Sequence, residues 1–302
     1  MSLIIMKPDN RKLRMLACLL VMAAGSGLIS CTSDEKEVSG SLEGKYPMNF
    51  VGQVLDRPIS RTSSEGTWSG TEEVGVQVGE EIKLYKTDTY GALTTDDEPF
   101  YWESKTTAVD VLAWFPCSGT EALPVSFSVQ QDQSRDNGFQ NSDFLRAKGT
   151  FTFSDRQPAL DFYHLPAKVK LNLKAGEGVD NPETVKNAEV TFVNMALTSG
   201  EIDMVTGTLA QTSGEETVIP QRLEGDDVTD GYLQTVQALL VPQQMQGKQF
   251  IKVVVDGVEA YYIPAEDDAN LQAGYLYVYN IEVTHRNEIE VTLAVSGPAW
   301  TE

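Results

Sequence analysis

Apolar and polar residues alternate along several segments of the chain. Residues 168–174, 189–193 and 288–295 place an apolar side chain at every second position, and residues 125–130 follow the same pattern. Successive side chains of a strand point to opposite faces of its sheet. The period of two therefore predicts half-buried β-strands at all four segments.

Turn chemistry and side-chain shape predict further strands. Residues 274–283 are dense in tyrosine and β-branched side chains, which favour extended backbone. Asp256 and Gly257 separate two β-rich runs within 252–262, and this dipeptide is typical of a tight hairpin. Helical spacing is not sustained over any segment longer than about ten residues. The chain is therefore predicted to be all-β and built from sandwiches.

We predict two domains after an N-terminal leader, since 302 residues fit about two domains. An N-terminal sandwich over 46–158 ends at Pro158, because proline cannot donate to a central hydrogen-bond ladder. A C-terminal sandwich covers 159–302. Residues 31–45 are polar and contain glycine, which predicts a flexible tether.

The first 30 residues have the organisation of a secretory signal peptide. Basic residues precede an apolar run from Met15 to Ile29, which is shorter than the ~20 residues of a membrane-spanning helix. Met6 would give a more usual basic region than Met1, so both start sites stay open.

Cys31 follows Leu28, Ile29 and Ser30 at the end of the apolar run. This order resembles a bacterial lipobox, in which the cysteine is acylated and becomes the new N-terminus. Several acyl chains give durable attachment, because each buried methylene contributes about 0.8 kcal/mol. We therefore expect lipid on Cys31 and a lipoprotein of the cell outer membrane.

The acidic balance excludes one class of partner. The formal net charge is −21, which repels phosphate backbones and argues against nucleic acid. Anionic membrane surfaces are disfavoured for the same reason unless a covalent anchor holds the protein there.

No sequence motif supports catalysis or a cofactor. The two histidines, His164 and His285, lie far apart, and the three cysteines form no C-x-x-C pair, so no metal site is predicted. The acidic loop 225–231 lacks the ligand spacing of an EF-hand. Phosphate-binding glycine loops and nucleophile elbows are also missing from the sequence. We therefore expect a protein that is not an enzyme and binds no cofactor.

Five sequence blocks point to one family when they are taken in order. They are TWSGTEEVGVQV (67–78), FYWESKTTAVDVLAWFP (100–116), SDFLRAKGTF (142–151), LDFYHLPAKVKLNLKAG (160–176) and LQAGYLYVYNIEV (271–283). With the Cys31 motif, they resemble the fimbrillin-like (Mfa-like) lipoproteins of Bacteroidales over nearly all of the mature chain. The acids after Cys31 look like the surface-export signal of such lipoproteins. Glu72 and Glu73 stand where that family more often has Gly-Asp, a departure that concerns a turn.

The resemblance implies two transthyretin-like Greek-key sandwiches and a fimbrial subunit that supports cell adhesion, with stalk, tip and anchor roles all open. In such fimbriae an arginine-specific protease removes the anchor together with the first strand. A strand of a neighbouring subunit then fills the vacated groove. The expected partners are other fimbrial subunits, the outer membrane through the lipid, and a host or bacterial surface receptor.

The first strand and the cleavage site can be placed on this chain. Met48, Phe50 and Val54 lie in an early apolar segment whose loss would expose core. Arg61 follows in a polar stretch of the kind where nicking is favoured, whereas Arg57 precedes a proline that impedes cleavage. A solvated Arg61 that is never cut is the alternative.

The predicted donor strand is C-terminal. Ile289, Val291, Leu293 and Val295 alternate with other residues and would all point to one face of a strand. The alternative is that this strand completes its own domain, and the two roles are compatible in different states.

A second function stays open at this stage. A surface lipoprotein that binds glycans without polymerising would share the anchor and the sandwiches. It would need exposed aromatic side chains on which sugars stack. The candidates are the four tryptophans Trp68, Trp102, Trp114 and Trp300.

Overall fold

The computed structural model describes residues 42, 44–55, 68–265, 268–286 and 288–298. Strands make up nearly all of the regular structure there, which confirms the predicted all-β class. The signal peptide, Cys31, Arg57, Arg61 and Trp300 lie outside the described residues.

The first seven strands form one sheet in the order β1-β7-β6-β5-β2-β3-β4. Its neighbouring strands are antiparallel except for β1 and β7, which run parallel. The strands are β1 (Val51–Val54), β2 (Glu73–Val78), β3 (Glu81–Thr87), β4 (Leu93–Thr94), β5 (Val109–Phe115), β6 (Leu145–Phe151) and β7 (Ala159–His164).

The two ends of this sheet meet. Val51 in β1 forms an antiparallel bridge with Ala92, which directly precedes β4. The amide of Gly52 donates to the carbonyl of Gly91 over 2.8 Å. The strand β1 therefore has a hydrogen-bonded neighbour on each side, and the sheet closes around its core.

The next nine strands form two sheets, in the orders β10-β9-β13-β14 and β11-β12-β8-β15-β16. Leu171 and Tyr279 from the five-stranded sheet share one buried cluster with Phe192 and Val253 from the four-stranded sheet, so the two sheets pack face to face. The elements are β8 (Ala167–Ala175), α1 (Pro182–Lys186), β9 (Glu189–Met195), β10 (Glu216–Val218), β11 (Gln221–Leu223), β12 (Gln234–Leu240), β13 (Ile251–Val255), β14 (Val258–Tyr262), β15 (Tyr275–Val283) and β16 (Ile289–Pro298).

Helical structure is confined to short elements in the described part of the chain. Besides α1, single 3₁₀ turns occur at Gln140–Ser142 and Gly225–Asp227. None of these helices is long and apolar enough to cross a membrane.

The predicted hairpin is confirmed at Asp256 and Gly257. The two residues join β13 to β14 with φ angles of 50° and 80°. Positive φ at both central positions matches the twist of an antiparallel pair, and Asp-Gly is suited to it.

The strand predicted over residues 125–130 is wrong. This segment forms a single isolated bridge, between Ser128 and Thr198. The amide of Phe127 donates to the hydroxyl of Ser199 at 3.0 Å instead of to a backbone carbonyl. A side chain thus replaces a rung of the ladder, and the segment stays extended without becoming a regular strand.

The predicted boundary at residue 158 falls inside the first sheet. The strand β7 begins at Ala159 and pairs with both β1 and β6. Its residues Leu160 and Phe162 lie in the buried apolar cluster of the seven-stranded sheet. Pro158 donates nothing to the ladder, but its carbonyl accepts from the amide of Val51 at 3.0 Å. The change from the first sheet to the next therefore comes after His164.

A third apolar cluster lies between the closed sheet and the later strands. Trp114 and Phe144 meet Met204 and Val241 in this cluster. Beside it, the Arg146 guanidinium donates to the carbonyl of Met204 at 2.6 Å. Apolar packing and this hydrogen bond therefore join the first sheet to connecting segments of the later part of the chain.

Candidate functional site

The first strand lies in a slot between two neighbours. On one side Val51 donates its amide to the carbonyl of Pro158, next to β7, at 3.0 Å. On the other side Leu93 donates to the carbonyl of Phe50, also at 3.0 Å. Removal of β1 would leave two facing rows of backbone groups without partners, which is the arrangement that accepts an added strand.

The inward side chains of this segment belong to the core. Met48, Phe50 and Val54 are 3%, 1% and 3% exposed. The ring of Phe50 meets that of Tyr85 edge to face, with 5.8 Å between centroids. Inward and outward positions alternate from Met48 to Val54, so the predicted first strand is a core strand in the structure.

Gly52 is an inward residue of β1 at a position with no room for a side chain. A Cβ at this position would lie 2.9 Å from Cε2 of Phe162 and 3.5 Å from the Trp68 ring. The indole nitrogen of Trp68 donates to the carbonyl of Gly52 at 2.8 Å. The absence of a side chain at Gly52 therefore lets both aromatic rings approach the backbone of β1.

The turn after Trp68 is fastened by one carboxylate. Glu72 accepts hydrogen bonds from the amides of Ser69, Gly70 and Thr71 and from the hydroxyl of Thr87. Burial raises the pKa of Glu72, but the hydrogen bonds from Thr87 and Ser69 outweigh it, and the pKa falls to about 2. The departure noted at Glu72 thus does concern a turn, and that turn fixes Trp68.

Sequence patterns did not identify Trp68, Gly52 or Glu72 as parts of this site. One signal was present, since Gly52 stands at an inward position of an alternating strand, where glycine often marks a close approach. The partners in that approach, Trp68 and Phe162, follow only from the three-dimensional pairing.

The predicted donor strand β16 is the outermost strand of its sheet and pairs with β15 of the same chain. Ile289, Val291 and Leu293 are partly buried and pack against the apolar cluster between the four-stranded and five-stranded sheets. The pairing shifts register between Leu293 and Val295, and Val295 is 39% exposed. The four apolar residues therefore do not share one buried face in this conformation.

The tryptophans proposed as a glycan platform are buried wherever they are described. Trp68, Trp102 and Trp114 are 8%, 6% and 2% exposed and belong to apolar clusters. Sugars stack on exposed rings, so these three side chains cannot serve in that role in this conformation.

A cavity of about 800 Å³ opens beside the end of β1, and its lining includes Val54, Trp68, Glu72 and His164. Nδ1 of His164 lies 2.8 Å from a carboxylate oxygen of Asp143, while Glu72 holds the turn. These polar groups therefore serve internal contacts. Across the described residues, no three His, Cys, Asp or Glu side chains are grouped to hold a metal ion.

The chain is similar to known proteins in sequence and in fold. The sequence matches the family model described as fimbrillin-like over residues 60–297. A solved protein of Bacteroides ovatus that is assigned to cell adhesion has a TM-score of 0.62 and 18% identity, covering 86% of this chain and 100% of its own. One of Bacteroides uniformis with the same assignment has a TM-score of 0.64 at the same identity and coverage. At this identity the likeness shows the fold. No curated protein sequence matches the chain.

Proposed function

The chain belongs to the fimbrillin-like family, and from that premise we propose that it is a subunit of a cell-surface fimbrium that contributes to adhesion. The assignment of the Bacteroides ovatus and Bacteroides uniformis proteins to cell adhesion supports the adhesive part. One structural observation carries the polymerising part. The strand β1 is paired on both sides, yet residues 56–67, which include Arg61, connect it to the rest of the sheet.

In this proposal the N-terminal part of the chain undergoes two covalent events, one before β1 at Cys31 and one after it at Arg61. Lipid on Cys31 first holds the subunit at the outer membrane and exposes it at the cell surface. Cleavage at Arg61 then separates β1 from the rest of the protein while hydrogen bonds still keep the strand in its slot. The strand and its lipid can leave together once a competing strand is available.

Removal of β1 without replacement would be costly. Each of the three inward side chains, Met48, Phe50 and Val54, contributes roughly 1.5–3 kcal/mol through burial. The sum is comparable to the net stability of a whole domain, about 5–15 kcal/mol. A subunit that has lost β1 therefore favours any strand that restores this burial.

The strand that replaces β1 is β16 of a neighbouring subunit in this proposal. Because β16 is an edge strand and only partly buried, its release from the sheet should cost less free energy than the release of a central strand. Ile289, Val291, Leu293 and Val295 then supply apolar side chains at a period of two. The arrangement in two transthyretin-like domains belongs to this proposal, with the first domain extended to His164.

Treatment of the lipid-free mature protein with an arginine-specific protease tests the polymerising role. We expect a ladder of oligomers that survives SDS without heating and collapses to monomer on boiling. Arg61→Ala should abolish the ladder, whereas Arg57→Ala should leave it intact. A persistent monomer after clean cleavage at residue 61 would contradict polymerisation.

Metabolic labelling tests the anchor separately. An alkyne fatty acid should label the wild-type protein in outer-membrane fractions and should fail to label Cys31→Ala. Equal labelling of both proteins would contradict attachment at Cys31. The glycan-binding alternative loses the stacking surface that Trp68, Trp102 and Trp114 would have supplied.

A further inference from the structure

The strand β16 does not require a glycine at position 297. In the described part of the chain, no atom beyond its two neighbours lies within 4 Å of the position that a Cβ would take. Its φ lies outside the left-handed region that favours glycine. Glycine weakens a strand because it has more backbone freedom to lose and no side chain to pack. The folded monomer therefore gains nothing from glycine at this position.

Gly52 has the opposite environment. A Cβ there would meet the Phe162 ring at 2.9 Å, in a slot where the Trp68 indole already binds the Gly52 carbonyl. Phe162 is fully buried and the Trp68 ring is packed edge-on against it, so the Phe162 ring has no free space to retreat into. Any strand that occupies the slot of β1 thus needs glycine at this inward position.

The two glycines stand in the same sequence pattern. In both segments, alternate residues follow the order apolar, apolar, glycine, apolar. These residues are Met48, Phe50, Gly52 and Val54 in the first segment, and Leu293, Val295, Gly297 and Ala299 in the second. The pattern occurs at one further place in the sequence, Leu145–Phe151, which is β6 and is paired on both sides. Of these three segments, the one that starts at Leu293 lies at the edge of a sheet.

We propose that residues 293–299 of a second copy enter the slot of β1 in one register, with Gly297 beside Phe162 and Trp68. This inference rests on the proposed function and specifies its register and direction. Leu293, Val295, Gly297 and Ala299 take the positions of Met48, Phe50, Gly52 and Val54, and Ala299 lies outside the described residues. Of the predicted donor residues, Leu293 and Val295 therefore enter the slot of β1, whereas Ile289 and Val291 precede it. The incoming strand runs parallel to β7, as β1 does.

The docked conformation of β16 fits this role. Its register shift between Leu293 and Val295 leaves Val295 39% exposed. Transfer straightens the strand and moves Val295 to the position where Phe50 is 1% exposed. Val295 therefore buries more of its apolar surface in the slot of β1 than in its own sheet.

The register also carries three imperfections. Val295 is smaller than Phe50, so the space beside Tyr85 is underfilled. Ala299 is smaller than Val54, which is buried. Pro298 takes the position of Gln53 and cannot donate a backbone hydrogen bond to β7. All three lower the affinity of the incoming strand relative to β1, and each can be corrected by substitution.

The first test changes the glycine in the full chain. Gly297→Val should leave the melting temperature of the uncut monomer within about 2 °C of wild type, because the site is open. After arginine-specific cleavage it should slow ladder formation at least tenfold. Ser296→Val is the matched control, since residue 296 takes the position of Val51, and it should assemble like wild type. Assembly of Gly297→Val at the wild-type rate would overturn the register.

A gain of function tests the same register from the other side. Val295→Phe restores the side chain that the slot of β1 holds, at a residue that is exposed in the monomer. Its polymers should dissociate in SDS at a temperature at least 5 °C higher than wild-type polymers. Ala294→Phe, at an outward position, should not. Equal effects of the two substitutions would contradict the proposed alignment.

A graft separates this inference from the proposed function. Residues 48–54 of the full chain are replaced by the sequence of residues 293–299, which requires neither cleavage nor polymerisation. The graft should fold with a cooperative thermal transition, and the same graft with valine at position 52 should not. If both grafts fold equally well, the register is wrong even if the protein polymerises. If only the glycine graft folds but cleaved wild type stays monomeric, the register stands and polymerisation fails.

Discussion

The indole nitrogen of Trp68 donates a hydrogen bond to the carbonyl of Gly52 at 2.8 Å. The two residues flank the segment that contains Arg61, so the bond joins the strand before that segment to the residue after it. The Trp68 ring also meets Phe162 edge to face at 5.3 Å. A cut at Arg61 leaves the hydrogen bond between Trp68 and Gly52 in place, and release of β1 requires the loss of that bond.

Trp68→Phe should lower the free energy of unfolding by about 1–3 kcal/mol, since it leaves the buried Gly52 carbonyl without its donor. Urea unfolding at pH 7 measures the loss. Trp102→Phe is the matched control, because Trp102 is similarly buried and packs edge-on against Phe153. An equal loss in both variants would contradict a specific contribution of the hydrogen bond.

The Glu72 carboxylate should make stability depend on pH. Its pKa is about 2 in the folded protein, below the ordinary 4.5, so its contribution is fully present above pH 4.5. That contribution is lost as the pH falls from 4.5 towards 2. Glu72→Gln should therefore be less stable than wild type at pH 7, and the difference should shrink through this window.

Urea unfolding at pH 7, 4 and 2.5 checks this expectation. Glu73→Gln, at the exposed neighbouring residue, is the control and should follow wild type throughout. A deficit of Glu72→Gln that stays constant down to pH 2.5 would show that the substitution acts through shape and not through charge.

The sequence predicted most strands because their periodicity is local. Alternation located β8, β9 and β16, and Asp256-Gly257 located a hairpin. The same alternation failed at residues 125–130, since it does not reveal that the Ser199 hydroxyl replaces a backbone partner of Phe127. Periodicity reports which face is apolar, and hydrogen-bond partners depend on distant parts of the chain.

The predicted boundary at Pro158 falls inside the first sheet for a related reason. The prediction rests on the fact that proline cannot donate to a ladder. Its carbonyl can still accept, and the bond from Val51 lets a parallel strand start beside it. Likewise, the apolar pattern at Met48 and Phe50 predicted a core strand, but the closure of the sheet between Val51 and Ala92 depends on a turn 41 residues further along the chain.

The two glycines should respond oppositely to alanine in the uncut monomer. Gly52→Ala forces a methyl group against Phe162 and should cost about 1–3 kcal/mol of unfolding free energy, as overpacked cores do. Gly297→Ala enters open space without strain and should be neutral or stabilise by up to about 1 kcal/mol. Urea unfolding of both variants checks the pair, and destabilisation by Gly297→Ala would reveal a structural need for glycine in β16.

A buried amide fastens the segment between β5 and β6 to the second part of the protein. Gln133 is 1% exposed. Its side-chain nitrogen donates to the Leu239 carbonyl at 2.7 Å, and its side-chain oxygen accepts from the Leu239 amide at 2.8 Å.

Gln133→Leu keeps a similar volume but leaves both backbone groups of Leu239 without these partners. Each such group costs roughly 1–3 kcal/mol, so we expect a loss of about 2–6 kcal/mol in urea unfolding. Gln131→Leu, at an exposed residue nearby, should change stability by less than about 0.5 kcal/mol. Faster hydrogen exchange at Leu239 in Gln133→Leu alone would locate the effect at this contact, and equal losses in both variants would contradict it.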